Sequence, residues 1–361
     1  MKTIGVAIIG CGGITLQNHL PGLALCPEAR VVALCDNDAA VLQRASEQSG
    51  IKACFSDYKE AIHRDDVHAV IIATPNVLHG PIALAAVAAG KHVLCEKPIA
   101  MNLAEAVEMY RAAEAARVRH MTAFTYRFVP AFRYLLHLVQ AGAIGQPYHF
   151  RVQRFQDWGT RAVGWRQVKK LASTGELGDM LSHRIDYAHA LMGHIKTLVA
   201  DLHRFHDVRE GQVSDLEDWV AIIARFAAGG TGVMESSKVC TGRGESARSQ
   251  DYCEVNGSEA SLVYCMGQKP ELQIGRRGQS TLEPLPVPKE FLVWPGSPRD
   301  PSRGDPLFAF RYDQNFEFID AILNQRPCVP SFLDGARAQA VIDVTVQSAN
   351  EKRWVEVPVV T

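Results

Sequence analysis

The sequence predicts an α/β protein: an N-terminal Rossmann-type, doubly wound parallel sheet, then a C-terminal α/β domain with a large open, mostly antiparallel sheet. Three observations carry this. The chain opens with an apolar run, Ile4 to Ile9, that ends in Gly10-Cys11-Gly12-Gly13 and is followed by a helical pattern. Strand and helix signals then alternate to about residue 124. Beyond that point strands follow one another across hairpin-type breaks, Ala227-Ala228-Gly229-Gly230 and Asn256-Gly257-Ser258-Glu259 among them. For 361 residues this gives two domains, residues 1–124 with the dinucleotide-type turn and residues 125–361 with the second sheet.

Composition excludes several classes. Apolar content of 47% and charged content of 21% are ordinary for a globular protein. A net charge of −1 gives no electrostatic basis for nucleic-acid or anionic-membrane binding. No apolar run approaches the ~18 residues of a membrane helix, and the opening run reads as a first strand, not a signal peptide. Nine cysteines, odd in number and free of CxxC, read as reduced thiols of a cytoplasmic protein. No His/Cys cluster has zinc-ligand spacing, so no metal is expected.

The first strand's glycine turn lets a backbone approach a phosphate and aims N–H groups at it. The third fingerprint position is Thr15 rather than glycine. A helix over 14–25 follows, then a strand over 30–35 ending in Asp36. Asp36 lies 24 residues after Gly12, near the spacing of the acid that binds a ribose 2′-hydroxyl. With Asn37 and Asp38 next, and no Arg or Lys there, the site favours NAD over NADP. The alternative reading of Asp36 is a cap on the next turn. Asp38 is placed to cap a helix through Glu47. A short helix over 58–63 follows, then a strand over 68–73 ending in Thr74-Pro75-Asn76. An Ala-rich helix starts near His79 and stops at Gly90. A strand over 91–95 leads to Glu96-Lys97-Pro98, a helix spans 102–117, and a strand over 119–124 closes the series. These motifs all fall at the carboxyl ends of strands, where ligands bind in such sheets. Lys97, read alone, is either a solvated lysine or a group that exchanges a proton with a substrate hydroxyl.

In the second part, Tyr126-Arg127-Phe128 leads into a helix over 130–141. Strands are expected over 148–155, 197–205, 219–226, 232–239, 251–255 and 261–265, a helix over 179–191, a long loop over 284–306, and helices over 314–324 and 334–350. Asp179 and His183 are four apart and share a helix face, with Asp186 extending it. They read either as a solvated pair or as a histidine held in one tautomer for acid–base work. Trp165-Arg166, Lys169-Lys170 and Arg184 form a basic stretch that would suit an anionic substrate if it turned inward.

At this point the sequence resembles the glucose–fructose oxidoreductase / inositol dehydrogenase / MocA family over nearly its whole length. The resemblance rests on AIIGCGGI (7–14), CDND (35–38), ATPNVLH (73–79), AAGKHVLCEKPIA (88–100), YRFVPAFRYL (126–135), GELGDMLSHRID (175–186) and DQNFEFIDAI (313–322). It implies the two-domain architecture above, with the last helix packing back on the first domain and a homodimer or homotetramer formed through the sheet face. It implies Gly10, Gly12, Gly13 and Ile14 at the pyrophosphate, and Thr74, Pro75, Asn76 and His79 beneath the cofactor. Glu96 would meet the nicotinamide ribose, and Pro98 would follow a cis bond. Lys97, Asp179 and His183 match the catalytic residues, with His183 as acid/base and Lys97 polarising or relaying. Arg127, Trp165 and Arg166 match positions that contact cofactor or substrate, and Tyr126, Arg166 and Lys170 join the substrate-binding set. Where the family often has GGGxLxDxGxH, this chain has Glu176, Gly178, Leu181 and Ser182, and the Leu181 position is usually glycine.

The activity implied is an NAD-dependent dehydrogenase or reductase of a sugar or cyclitol, in which the cofactor does the hard chemistry and the protein orients and protonates. A redox-neutral NAD-dependent glycosidase is an alternative, including one acting on a sulfoquinovoside. A non-catalytic NAD-binding regulatory protein is a second.

Overall fold

Residue-level reasons for the first sheet are plain in its opening strand, where all six residues of Ile4–Ile9 are buried. The computed structural model describes residues 3–245, 250–266 and 270–361. It divides into two units, the first comprising residues 1–125, 293–300 and 309–336, the second 126–292, 301–308 and 337–361.

In the first unit the strands are β1 (Ile4–Ile9), β2 (Ala29–Cys35), β3 (Cys54–Phe55), β4 (Ala69–Ile72), β5 (His92–Cys95) and β6 (His120–Thr122). They form one parallel sheet in the order β3-β2-β1-β4-β5-β6. Burial of β1 and β4 along their whole length explains why their sequences lack polar alternation. The order reverses between β1 and β4, which places a ligand crevice at their carboxyl ends. Asp38 caps the helix Ala39–Ser49 by accepting from the N–H groups of Ala40 and Val41, and Asn102 caps Leu103–Ala115. The first helix starts as a π-turn, Thr15–His19, and continues as Leu20–Ala24. Pro21 falls in the first turn of that second segment, where a missing N–H costs little.

Two later stretches also belong to this unit. In the helix Tyr312–Leu323, buried Asp313 accepts from Arg299 at 3.0 and 2.8 Å and from Ser297 Oγ at 2.6 Å. The first turn of the helix Phe332–Glu351 lies here too, with an added Cβ on Gly335 falling 2.5 Å from Thr122 Oγ1.

The second unit holds β7 (Pro147–Phe155), β8 (Ile195–His203), β9 (Val208–Arg209), β10 (Gln212–Val213), β11 (Trp219–Phe226), β12 (Thr231–Ser237), β13 (Gln250–Gly257), β14 (Ala260–Met266), β15 (Pro270–Arg276), β16 (Glu283–Pro284) and β17 (Val355–Glu356). Nine of these form a sheet in the order β16-β15-β14-β13-β7-β12-β11-β8-β17. Only β7–β12 is parallel. Both expected hairpin breaks join antiparallel neighbours, β11 to β12 and β13 to β14. Alternation along β7 buries Phe150, Val152 and Arg154. The helix Ser182–Met192 is buried at nine positions, and its Tyr187 stacks on Phe132 with ring centroids 3.6 Å apart.

Two expectations need correction, and β15 and five two-residue strands lie outside the expected set. The helix expected from Asp179 begins at Leu177 with a π-turn, Leu177–Leu181, before regular helix starts at Ser182. The stretch 284–306 is not wholly a loop, since Pro284 ends β16 and Lys289–Phe291 makes one 3-10 turn. Strands β3, β9, β10, β16 and β17 are two residues each, too short to show a periodicity.

Candidate active site

The turn after β1 is built around a close approach. Gly10 has φ +92°, and a Cβ there would lie 2.4 Å from the Ala73 carbonyl, so only glycine fits. Thr15 donates its hydroxyl to the Gly10 carbonyl at 2.6 Å, which explains a threonine where the fingerprint has glycine. The Asp36 carboxylate accepts from the N–H of Cys11 at 2.7 Å and of Asp38 at 2.9 Å. Both readings of Asp36 thus hold in part: it braces the turns and still stands at the end of β2. A Cβ on Gly12 or Gly13 would meet nothing within 4 Å, so open ground lies in front of the turn. Half-buried Ile14 and exposed Asn37 border it, while Thr74 Oγ1 is buried without a hydrogen-bond partner among the described residues. Open glycines, a carboxylate at the end of β2 and an orphaned hydroxyl at the end of β4 fit a dinucleotide.

Two histidines brace the neighbouring loops. His79, fully buried, sets Nε2 3.0 Å from the Thr74 carbonyl and Nδ1 2.9 Å from the Pro98 carbonyl. Burial pushes its pKa down against the pull of those two carbonyls. Both ring nitrogens face backbone carbonyls, and a neutral imidazole donates to one of them at a time, so His79 packs behind the loops between Thr74 and Pro98. The Lys97–Pro98 bond is cis. His19 sets Nε2 3.0 Å from Glu96 Oε1 and Nδ1 3.1 Å from Asn315 Oδ1. The Asn315 amide nitrogen faces the Asn18 carbonyl at 3.4 Å, which orients its oxygen toward His19. Burial, the largest single influence, would raise the Glu96 pKa, but the bond and charge of His19 together with Lys97 and His79 hold the carboxyl below its ordinary value. Lys97 follows, half-buried.

In the second unit, His183 is buried with its ring edge-on to Tyr126 at 4.7 Å. The Arg184 guanidinium lies 4.6 Å from the same tyrosine ring, and Tyr187 donates to the Tyr126 carbonyl at 3.0 Å. Arg127 grips Asp186 with two bonds of 2.6 and 2.8 Å. Asp179 accepts from Arg166 Nε at 3.3 Å, and the Arg166 guanidinium lies 4.3 Å from the Trp165 ring. The basic stretch does not make an anion pocket. Lys169 and Lys170 are exposed, and Arg184 is fully buried and bonded to Asp251, so its charge is already matched. That removes the observation that favoured an anionic sugar, and Lys170 as a substrate contact loses its support. Among the described residues no group of three His, Cys, Asp or Glu side chains could hold a metal.

Sequence reasoning passed over His19, Asn315 and Glu176. His19 carries a weak signal, a histidine on the apolar face of the first helix. Asn315 carries none, since its role depends on a stretch some 300 residues away in sequence. Glu176 falls on an unspecified position of the GGGxLxDxGxH pattern, so no local signal set it apart.

Comparison with known proteins gives the family of the chain. The family model described as an oxidoreductase family with an NAD-binding Rossmann fold matches residues 4–124, and its C-terminal domain model matches 132–263. Levoglucosan dehydrogenase of Pseudarthrobacter phenanthrenivorans is 32% identical, covering 99% of this chain and 99% of that protein. D-apiose dehydrogenase of Paraburkholderia graminis is 28% identical over 99% of this chain and 90% of its own. The solved structure of levoglucosan dehydrogenase in complex with NADH superposes with a TM-score of 0.91 at 30% identity, covering 99% of this chain and all of that one. The chain therefore belongs to the glucose–fructose oxidoreductase / inositol dehydrogenase / MocA family, and NAD is its cofactor.

Proposed function

We propose that the protein is an NAD-dependent dehydrogenase of a neutral sugar, with an anhydro-pyranose of the levoglucosan type as the first substrate to try. The observation that carries this is full-length similarity to levoglucosan dehydrogenase, joined to a turn whose open glycines and Asp36 suit NAD. Matching of Arg184 by Asp251 supports a neutral substrate over an anionic one. NAD, when bound, supplies the hydride acceptor. The chain's own residues then do the rest. Gly10–Gly13 and Asp36 hold the pyrophosphate and ribose. Glu96, kept ionised by His19 together with Lys97 and His79, meets the nicotinamide ribose. In the second unit His183 takes the proton of the reacting hydroxyl, with Asp179 one turn before it, and in the first unit Lys97 is the polarising group. Tyr126, Arg127, Trp165 and Arg166 border the substrate.

The test is a pair of variants. Lys97→Ala and His183→Ala should each lower kcat by about 10²–10⁴-fold, while NAD binding measured by calorimetry stays within a few-fold. Full turnover in either variant would remove that residue from the mechanism.

We further infer a homodimer or homotetramer in a reducing, cytoplasmic setting. Tyr148 and Ile223 on the nine-stranded sheet are 53% and 50% exposed, a surface suited to burial against a second copy. All nine cysteines are free thiols. Light scattering that gave a monomer at micromolar concentration would contradict the assembly.

A further inference from the structure

Glu176 is a fully buried carboxyl that the steps above do not use. It stands three residues before Asp179, at the head of the π-turn Leu177–Leu181. Its Oε1 lies 2.5 Å from Ser236 Oγ on β12, and its Oε2 is buried with no hydrogen-bond partner among the described residues. Ser236 Oγ also lies 3.1 Å from the backbone carbonyl of Arg154 on β7. A carbonyl oxygen only accepts, and a serine hydroxyl has one proton to give. When Ser236 gives that proton to Arg154, Glu176 must supply the other. The bonds then run from the Glu176 O–H to Ser236, and from the Ser236 O–H to the Arg154 carbonyl. A carboxylate would compete for the single serine proton and leave a charged oxygen bare in the interior.

The cations nearest Glu176, Lys238 and Arg154, favour its ionisation, but burial and Asp179 oppose it more strongly. Asp179, on the same segment, has the sign that opposes ionisation. Lys238, after β12, is engaged by Asp218 at 3.5 Å and lies 5.2 Å from the Trp158 ring. Arg154, on β7, lies 3.9 Å from Asp251 on β13. Glu217, before β11, accepts from the N–H groups of Gly175 at 2.7 Å and Leu177 at 3.1 Å. No cation forms an ion pair with Glu176 among the described residues. Burial, and after it the charge on Asp179, push the Glu176 pKa up to about 8.

We propose that Glu176 is a positioning residue for the redox reaction: as a neutral acid it ties the head of the His183 helix to β7 and β12 through Ser236, and leaves Asp179 the one charged carboxylate of the segment 176–181. Ionising Glu176 breaks the relay and sets a second negative charge beside Asp179. This rests on the roles given above to Asp179 and His183.

Two readouts on the full chain test it. One is a pH titration followed by infrared difference spectroscopy on protein without sugar. Wild type should show a carboxylic-acid C=O band at neutral pH that disappears with a midpoint of about 8. Glu176→Gln should lack that band, and Ser236→Ala should move its midpoint. The other readout is the pH profile of kcat. Wild type should lose about tenfold in kcat, with a smaller change in KM, as pH rises through that midpoint. Glu176→Gln should lose this alkaline limb. Absence of the acid band at neutral pH, or an unchanged alkaline limb in Glu176→Gln, overturns the proposal. Failure of the dehydrogenase reading would show instead as no turnover of any sugar at any pH, and the infrared band would then decide where the proton sits.

Discussion

Asp36 spends part of its carboxylate on the N–H groups of Cys11 and Asp38, and that fixes the direction of its charge. A fixed carboxylate at the end of β2 accepts from a ribose diol and repels a 2′-phosphate. Asp36→Ser should lower the NAD-to-NADP ratio of kcat/KM by about tenfold or more, equivalent to about 1.4 kcal/mol; an unchanged ratio would mean that specificity lies elsewhere. His19 makes a second residue-scale case. His19→Ala leaves the Glu96 carboxylate buried without its partner, and calorimetry should find NAD binding weakened by about tenfold. Glu176 yields a stability prediction with a defined sign. Its pKa is about 8 folded against an ordinary 4.5. Between those values the folded state keeps a proton that the unfolded state has lost, so this contribution to stability falls as pH rises, by about 1.4 kcal/mol per unit. Below 4.5 it is fully present, and above 8 it is gone. Melting of Glu176→Gln relative to wild type should therefore improve steadily from about pH 5 to about pH 8. A difference that stays flat over that range would mean that the wild-type carboxyl is already ionised.

Among elements, the glycine turn shows how much was legible and why. The run Ile4–Ile9, the glycines and Asp36 are local signals, and each does what local chemistry requires. Gly10→Ala should cost about 2–4 kcal/mol from a positive φ and a 2.4 Å approach to the Ala73 carbonyl; a thermal melt without cofactor reads it directly. Most longer strands and helices were also legible, because their apolar spacing extends over several residues, but the seven-residue β15 was passed over. The two-residue strands were not legible, since β16 and β17 exist only through pairing with β15 and β8. The π-turns at Thr15–His19 and Leu177–Leu181 were missed for a similar reason. A single-residue insertion in a helical pattern is invisible where buried residues occur on every side. Side-chain partners were least legible. Nothing local to Arg184 announces Asp251, and nothing local to Glu96 announces His19 and Asn315, yet these pairs decide which charges a substrate meets.

At the scale of the whole molecule, the two units each carry a share of the proposed chemistry. The first brings a pyrophosphate turn, a braced Glu96 and Lys97. The second brings a buried His183 set against Tyr126, with Asp179 held by Arg166. Their common family places both under one activity, net hydride transfer from a sugar. The most direct test is stoichiometric. Purified protein is incubated with NAD and levoglucosan, and in parallel with aryl glycosides, while NADH absorbance, oxidised sugar and released aglycone are followed together. The account predicts one NADH for each oxidised sugar and no aglycone. Aglycone released without net NADH, and abolished when NAD is stripped, would contradict it.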